Sequence, residues 1–232
     1  NRREVIVGGL VVLSAVFETL KIKVMHPCTG ALRVGLLYDL LDRKCQQDIR
    51  EESAQALLNW TSVDKEQAQR VQSLSLSLFN QVCPQASDED KKLLGWASLL
   101  HEIGGIISHN GYHRHTAYVL ANCDLAGFSR PNQECLSTLV LAQRGNLLKV
   151  EKAIQRAIYR AQIISIRLAV IFAHTRLPTE LPTMKLTVKE NGFKLSLCAQ
   201  WLQQHPLTHF LLENEVVFWN KVKYDFELEL ID

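Results

Sequence analysis

Apolar residues at three- and four-residue spacings run through most of the chain and predict helices over 51–60, 64–82, 87–108, 113–121, 131–143 and 150–174. Asp64 and Ser87 are placed to cap two of them, and Pro131 suits a first helical turn after Ser129-Arg130. Before this block, residues 4–20 read as a helix that is apolar on nearly every face, followed by a short strand at 22–25 and a helix over 31–41. A helix without a polar face needs cover all round. The segment therefore reads as the end of a domain whose remainder lies elsewhere, or as a piece that docks. Beyond the prolines at 178 and 182 the period changes from helical to two. Leu186 and Val188 alternate with polar residues, Asn191-Gly192 supplies a type I′ turn, and Phe193, Leu195 and Leu197 alternate again. Helices over 199–204 and 207–221 follow, and Tyr224, Phe226, Leu228 and Leu230 form a last strand that pairs with the hairpin. The predicted class is mainly α: a helical bundle followed by a small α+β part of order β-β-α-α-β.

Composition adds bounds. With 232 residues and 47% hydrophobic positions, the chain buries a real core. Its 26 basic and 24 acidic residues nearly cancel, so bulk charge does not mark a nucleic-acid binder and any anion site is a local cluster. The six cysteines are dispersed without a CxxC pair, which fits reduced thiols in a cytoplasm. Asn1-Arg2-Arg3 before the apolar run at 5–17 has the outline of a signal peptide. The run is nevertheless too short to span a bilayer and no small-x-small site follows it. The first residue is not Met, so the expectation is that the chain starts inside a longer protein.

Chemistry concentrates in one stretch: His101-Glu102, His109, His113 and His115, with Arg114 among them. Adjacent imidazole and carboxylate at a helix end suit a divalent-metal site of the HD type, which activates water. Such a site also needs an upstream imidazole and a downstream carboxylate. Gln67 and Val170 stand nearest those places, and neither is a good ligand. The expectation is a relic of an HD-like site with no metal assigned, unless His109, His113 or His115 substitute. The bland alternative makes His101 and His115 core groups with hydrogen-bond partners and puts His109 and His113 on loops.

Those residues carry a resemblance. The segment HEIGGIISHNGYHRHTAYVLANCDLAGFS (residues 101–129) is similar to the signature region of the exopolyphosphatase and guanosine pentaphosphate phosphohydrolase family, where HE-(I/V)-G, H-x-G-x-H-x-H-(S/T)-A-Y and N-S-D-(L/I)-x-G-F recur. Residues 3–10, and 30–33 with 35–39, resemble the end of that family's second actin-like domain. Cys28-Thr29 here replaces a Ser-Asp pair and Val34 replaces a Glu. The resemblance implies three parts: the end of an actin-like, ribonuclease H-like domain at 1–44, an HD-like helical domain at 45–176 and a small α+β domain at 182–232. It also implies that hydrolysis of phosphoanhydride bonds, with magnesium, belongs to N-terminal domains absent from this chain. No catalytic residue or cofactor is expected here, and the parts present would serve homodimer formation and the path of polyphosphate or guanosine pentaphosphate. No nucleic acid and no membrane span are expected.

A polyanion path needs cationic donors spaced along it. Lys149, Lys152, Arg156 and Arg160 fall near one helical stripe at spacings of three or four, with Arg167 farther along, and Arg114 and Arg144 are placed to join them. A solvated helix face gives the same pattern. Three functions follow: an accessory phosphate-binding and dimerising module, a self-contained metal-dependent HD phosphohydrolase, or an interaction scaffold.

Overall fold

The computed structural model describes residues 3–24, 48–61, 63–178 and 180–231. The chain divides into two compact units, 1–47 and 48–232. In the first, helix α1 (Arg3–Leu20) exposes Ile6, Val7, Leu10, Val11 and Val12. Residues 22–24, expected as strand, have no regular structure. Met25 and the helix expected over 31–41 lie outside the described residues.

The second unit opens with capped helices. In α2 (Ile49–Trp60) the Asp48 carboxylate accepts from Arg50 N, and in α3 (Lys65–Val82) Asp64 accepts from Gln67 N. Each cap satisfies a backbone donor that has no partner within its helix. Ser87 does the same for α4 (Asp88–Leu99), whose first turn holds Asp88, Glu89 and Asp90 against the positive end of the helix dipole. A 3-10 turn (Ile103–Ile106) and α5 (Tyr112–Asn122) follow, then α6 (Arg130–Ala142), capped by Ser129. After a second 3-10 turn (Leu147–Val150) and a one-turn α7 (Glu151–Ile154) comes α8 (Ala157–Phe172). Residues 161–169 of α8 are all buried, which makes it the central helix, with α3 packed along it.

Two expected helices are shorter than the periodicity indicated. The 87–108 helix stops at Leu99, and the chain folds back through Gly104 onto the start of α5. A Cβ at Gly104 would lie 2.3 Å from Thr116 N and from Tyr112 O, so only glycine admits this approach. The 150–174 helix breaks at Arg156, whose backbone is extended (φ −84°, ψ 125°). No glycine or proline forces that break. Tertiary hydrogen bonds hold it: Arg160 Nη1 donates to the carbonyls of Ile154 (3.1 Å) and Gln155 (3.2 Å) and to Tyr224 Oη (2.9 Å).

The tail has the expected β-β-α-α-β order: β1 (Met184–Lys189), β2 (Gly192–Cys198), α9 (Ala199–Gln204), α10 (Pro206–Asn220) and β3 (Asp225–Ile231). β1 and β2 are antiparallel, and β3 lies parallel to β2 because the two helices carry the chain back to the same end of the sheet. Lys189 pairs with Gly192, so the hairpin turn is Glu190-Asn191, without the positive φ of a type I′ turn. Gly192 is needed for another reason: a Cβ there would lie 1.9 Å from the carbonyl oxygen of Asp225. The tail also joins the bundle. Leu186 N donates to Gln81 of α3, and the buried Arg167 of α8 meets the buried Glu215 of α10 through two hydrogen bonds of 2.6 Å each.

Candidate functional site

The turn after α4 presents His101, 1% exposed. Its Nδ1 lies 2.7 Å from the Ser98 carbonyl, which only accepts, so the proton is on Nδ1 and the Nε2 lone pair faces Glu102 Oε1 at 3.9 Å. Burial holds this imidazole below its ordinary pKa, although the Glu102 charge acts the other way. The turn is braced from three sides. Thr116 Oγ1 accepts from Gly104 N (2.9 Å) and shares its proton between the carbonyls of Tyr112 and His101, while Gln143 Nε2 donates to His101 O (2.8 Å).

The charge facing Glu102 is a guanidinium. Arg176, just past α8 and in the left-handed region (φ 58°), places Nη2 2.5 Å from Glu102 Oε1 and Nη1 3.7 Å from Asp64 Oδ2. Its carbonyl accepts from Arg70 Nη2 at 2.9 Å. Gln67, expected nearest the upstream ligand position, donates its amide to Ala173 O at 2.7 Å and so anchors the end of α8. Val170 packs against the core. These residues do not fit a divalent ion. Among the described residues no three His, Cys, Asp or Glu side chains are grouped to hold one.

Glu102, Asp64, Arg176, His109 and Tyr112 line a cleft of about 590 Å³, with Val63 and Ile106 as apolar wall. His109 is exposed at its edge. His113, expected on a loop, belongs to the first turn of α5. It is half-buried, and its Nδ1 is buried without a hydrogen-bond partner. Burial, with Lys149, Arg114, Arg144 and Arg167 nearby, lowers its pKa to about 4, so it is neutral at neutral pH. His115 is half-buried two residues on, with its backbone against Gly104.

Three of the six expected phosphate contacts converge. Arg114 and Lys149 approach each other closely enough for Arg114 to help lower the Lys149 pKa to about 8, after burial and Arg167. Lys149 Nζ donates to Arg144 O at 2.5 Å, and the Arg144 guanidinium lies 5.9 Å from the Tyr112 ring centre. Among the described residues, Arg114, Arg144 and Lys149 make no ion pair with a carboxylate, whereas the nearby Arg167 is neutralised by Glu215. The other three go elsewhere because the helix breaks. Lys152 is exposed on α7, Arg156 stacks 5.0 Å over Tyr159, and Arg160 lies 4.5 Å over Tyr224. Arg176 and Glu215 carried no motif signal. Their roles come from partners 74 and 48 residues away in sequence.

His101, His113 and His174 share one consequence. All three are held below the ordinary imidazole pKa of 6.5, chiefly by burial, and both ring nitrogens of His174 are buried without a hydrogen-bond partner. The unfolded chain therefore binds protons that the folded chain refuses. Stability holds above pH 6.5 and falls as the pH drops below it. Urea titrations from pH 7.5 to 5 will show a falling midpoint, and His174→Phe will flatten part of that slope.

The profile for Ppx/GppA phosphatase, domain III, matches residues 49–216, and that for the Ppx/GppA phosphatase family matches residues 1–44. A guanosine-5'-triphosphate,3'-diphosphate pyrophosphatase of Pseudoalteromonas translucida is 34% identical over 221 residues, which cover 93% of this chain and 44% of that protein. The protein of the same name from Aeromonas hydrophila is 35% identical over 225 residues, covering 93% and 45%. The chain thus spans a little under half the length of these relatives. The four cysteines among the described residues for which pairing is defined (Cys83, Cys123, Cys135 and Cys198) are free, and no described helix is long and apolar enough to cross a membrane. On the match that runs from α2 into α10, the chain belongs to the Ppx/GppA phosphatase family.

Proposed function

We propose that this chain is the accessory, dimerising portion of an exopolyphosphatase-type phosphohydrolase. It contacts the phosphate chain of polyphosphate or guanosine pentaphosphate, and hydrolysis, with magnesium, takes place in N-terminal domains outside it. The observation that carries this reading is the convergence of Arg114, Arg144 and Lys149 without a neutralising carboxylate. Three uncompensated cations on one surface repel one another, and a polyanion relieves that repulsion. A homodimer in the cytoplasm is part of the reading. Leu207, Phe210 and Val217 are exposed on α10 at spacings that suit a helix-to-helix contact. The self-contained metal-dependent alternative lacks a donor set, since Gln67 and Val170 are committed to packing.

Tripolyphosphate titrated into the purified chain tests this. Binding is expected at low salt, weakening as salt screens the cations, and Arg144→Ala is expected to weaken it about tenfold. Affinity is also expected to fall as the pH rises through about 8, where Lys149 loses its proton. Lys149→Met will remove that pH dependence. Absence of binding at low salt sinks the reading and leaves a scaffold.

A further inference from the structure

We propose that Asn110 is a site of spontaneous deamidation, and that the carboxylate formed there weakens the cluster of cations beside it. The modification stands on the chemistry of one loop, and its effect on binding rests on the phosphate-binding reading above.

The chain has two Asn-Gly steps, Asn110-Gly111 and Asn191-Gly192. In such a step the backbone nitrogen of the glycine can attack the side-chain carbonyl carbon of the asparagine. That nitrogen gives up its proton, a new C–N bond closes a succinimide ring, and the side-chain nitrogen leaves as ammonia. Water then opens the ring at either carbonyl and gives aspartate or isoaspartate. Glycine favours the attack because no side chain shields its nitrogen. The asparagine must also be free to turn toward it.

The structure holds one step and leaves the other loose. Asn191 is exposed, but its side-chain amide donates to Lys223 O at 3.2 Å and its carbonyl accepts from Asp225 N at 2.8 Å. Gly192 is buried and paired in the sheet with Lys189 and Asp225. Turning Asn191 onto that nitrogen would undo the hairpin. Asn110 lies in the irregular loop between the first 3-10 turn and α5, and it is exposed. Its backbone N–H reaches Ser108 Oγ at 3.2 Å, whereas its side-chain amide and the N–H of Gly111 make no hydrogen bond among the described residues. Apart from chain neighbours, a Cβ added at Gly111 would meet only Arg114 Cδ, at 3.9 Å, so this glycine is uncrowded.

The neighbour sets the consequence. Arg114 N donates to Gly111 O at 2.8 Å, so a carboxylate at 110 forms one residue before the turn that carries Arg114. It supplies the negative charge that Arg114, Arg144 and Lys149 otherwise lack, and it repels a phosphate chain.

The 232-residue chain is aged in mildly alkaline buffer, and peptide mapping with enzymatic methylation of isoaspartyl groups reads both Asn-Gly steps. Position 110 is expected to convert over days while 191 stays asparagine. Asn110→Gln, whose longer side chain closes the ring poorly, is expected to stay unmodified. No conversion at 110, or conversion at 191 as fast as at 110, overturns the proposal. Tripolyphosphate binding at low salt reads the effect. Aged chain and Asn110→Asp are expected to bind about fivefold more weakly than fresh chain, and aged Asn110→Gln to bind as fresh chain does. Unchanged affinity after conversion refutes the link to the cations and leaves the modification site standing. Fresh chain that binds no tripolyphosphate overturns the phosphate-binding reading together with that link, while the map still decides the modification.

Discussion

Glu215→Ala will destabilise the folded chain by about 3–5 kcal/mol, because it leaves the Arg167 guanidinium buried without its counter-charge. Arg167 is 0% exposed and Glu215 3%, so water cannot take over the lost partner. Both Arg167–Glu215 hydrogen bonds disappear, and only the bond from Arg167 Nη1 to the Ala142 carbonyl remains. Urea unfolding should show the loss as a lower midpoint at unchanged slope. The double variant Arg167→Met/Glu215→Leu should recover most of it, since an apolar pair carries no charge to desolvate. A loss below about 1 kcal/mol, the scale of an exposed pair, would mean that the junction between α8 and α10 admits solvent.

Gly104→Ala is expected to cost stability at the top of the range for overpacked sites, about 1–3 kcal/mol, and to impair the candidate site at the same time. The added methyl would meet backbone atoms of Tyr112, His115 and Thr116, which cannot swing aside as a side-chain tip does. Relief requires α5 to move away from the turn that carries His101 and Glu102. That would stretch the Thr116 hydrogen bonds to Gly104 and His101 and displace Tyr112 from the cleft. Thermal unfolding reads the first effect and tripolyphosphate binding the second. Gly105→Ala, where an added Cβ meets nothing within 4 Å, is the control and should change neither.

These two positions show what the sequence exposed and what it hid. The capped starts at Asp64, Ser87 and Ser129 were legible because a cap is a local event between a side chain and a backbone donor two or three residues on. The period-two run around Phe193 and Leu195 was legible for a similar reason. The early stop at Leu99 was not, because leucines, His101 and Ile103 keep a helical rhythm and only contact with Thr116 makes the turn preferable. The break at Arg156 was hidden in the same way, since it is held by Arg160 and by Tyr224 from the far end of the chain. That break divided the anticipated basic stripe, separating Lys149 from Arg156 and Arg160. Of the site itself, the adjacency of His101 and Glu102 could be read directly. Arg176 could not, because nothing local to it announces a partner 74 residues earlier.

Arg176 also changes what governs this corner of the molecule. An ion that balances Glu102 from solution would make the corner's electroneutrality a function of free-ion concentration, and a chelator or a starved cell could empty it. A guanidinium carried on a side chain cannot diffuse away or be exchanged. The balance is written into the gene, since the positive charge that faces Glu102 is part of the chain itself.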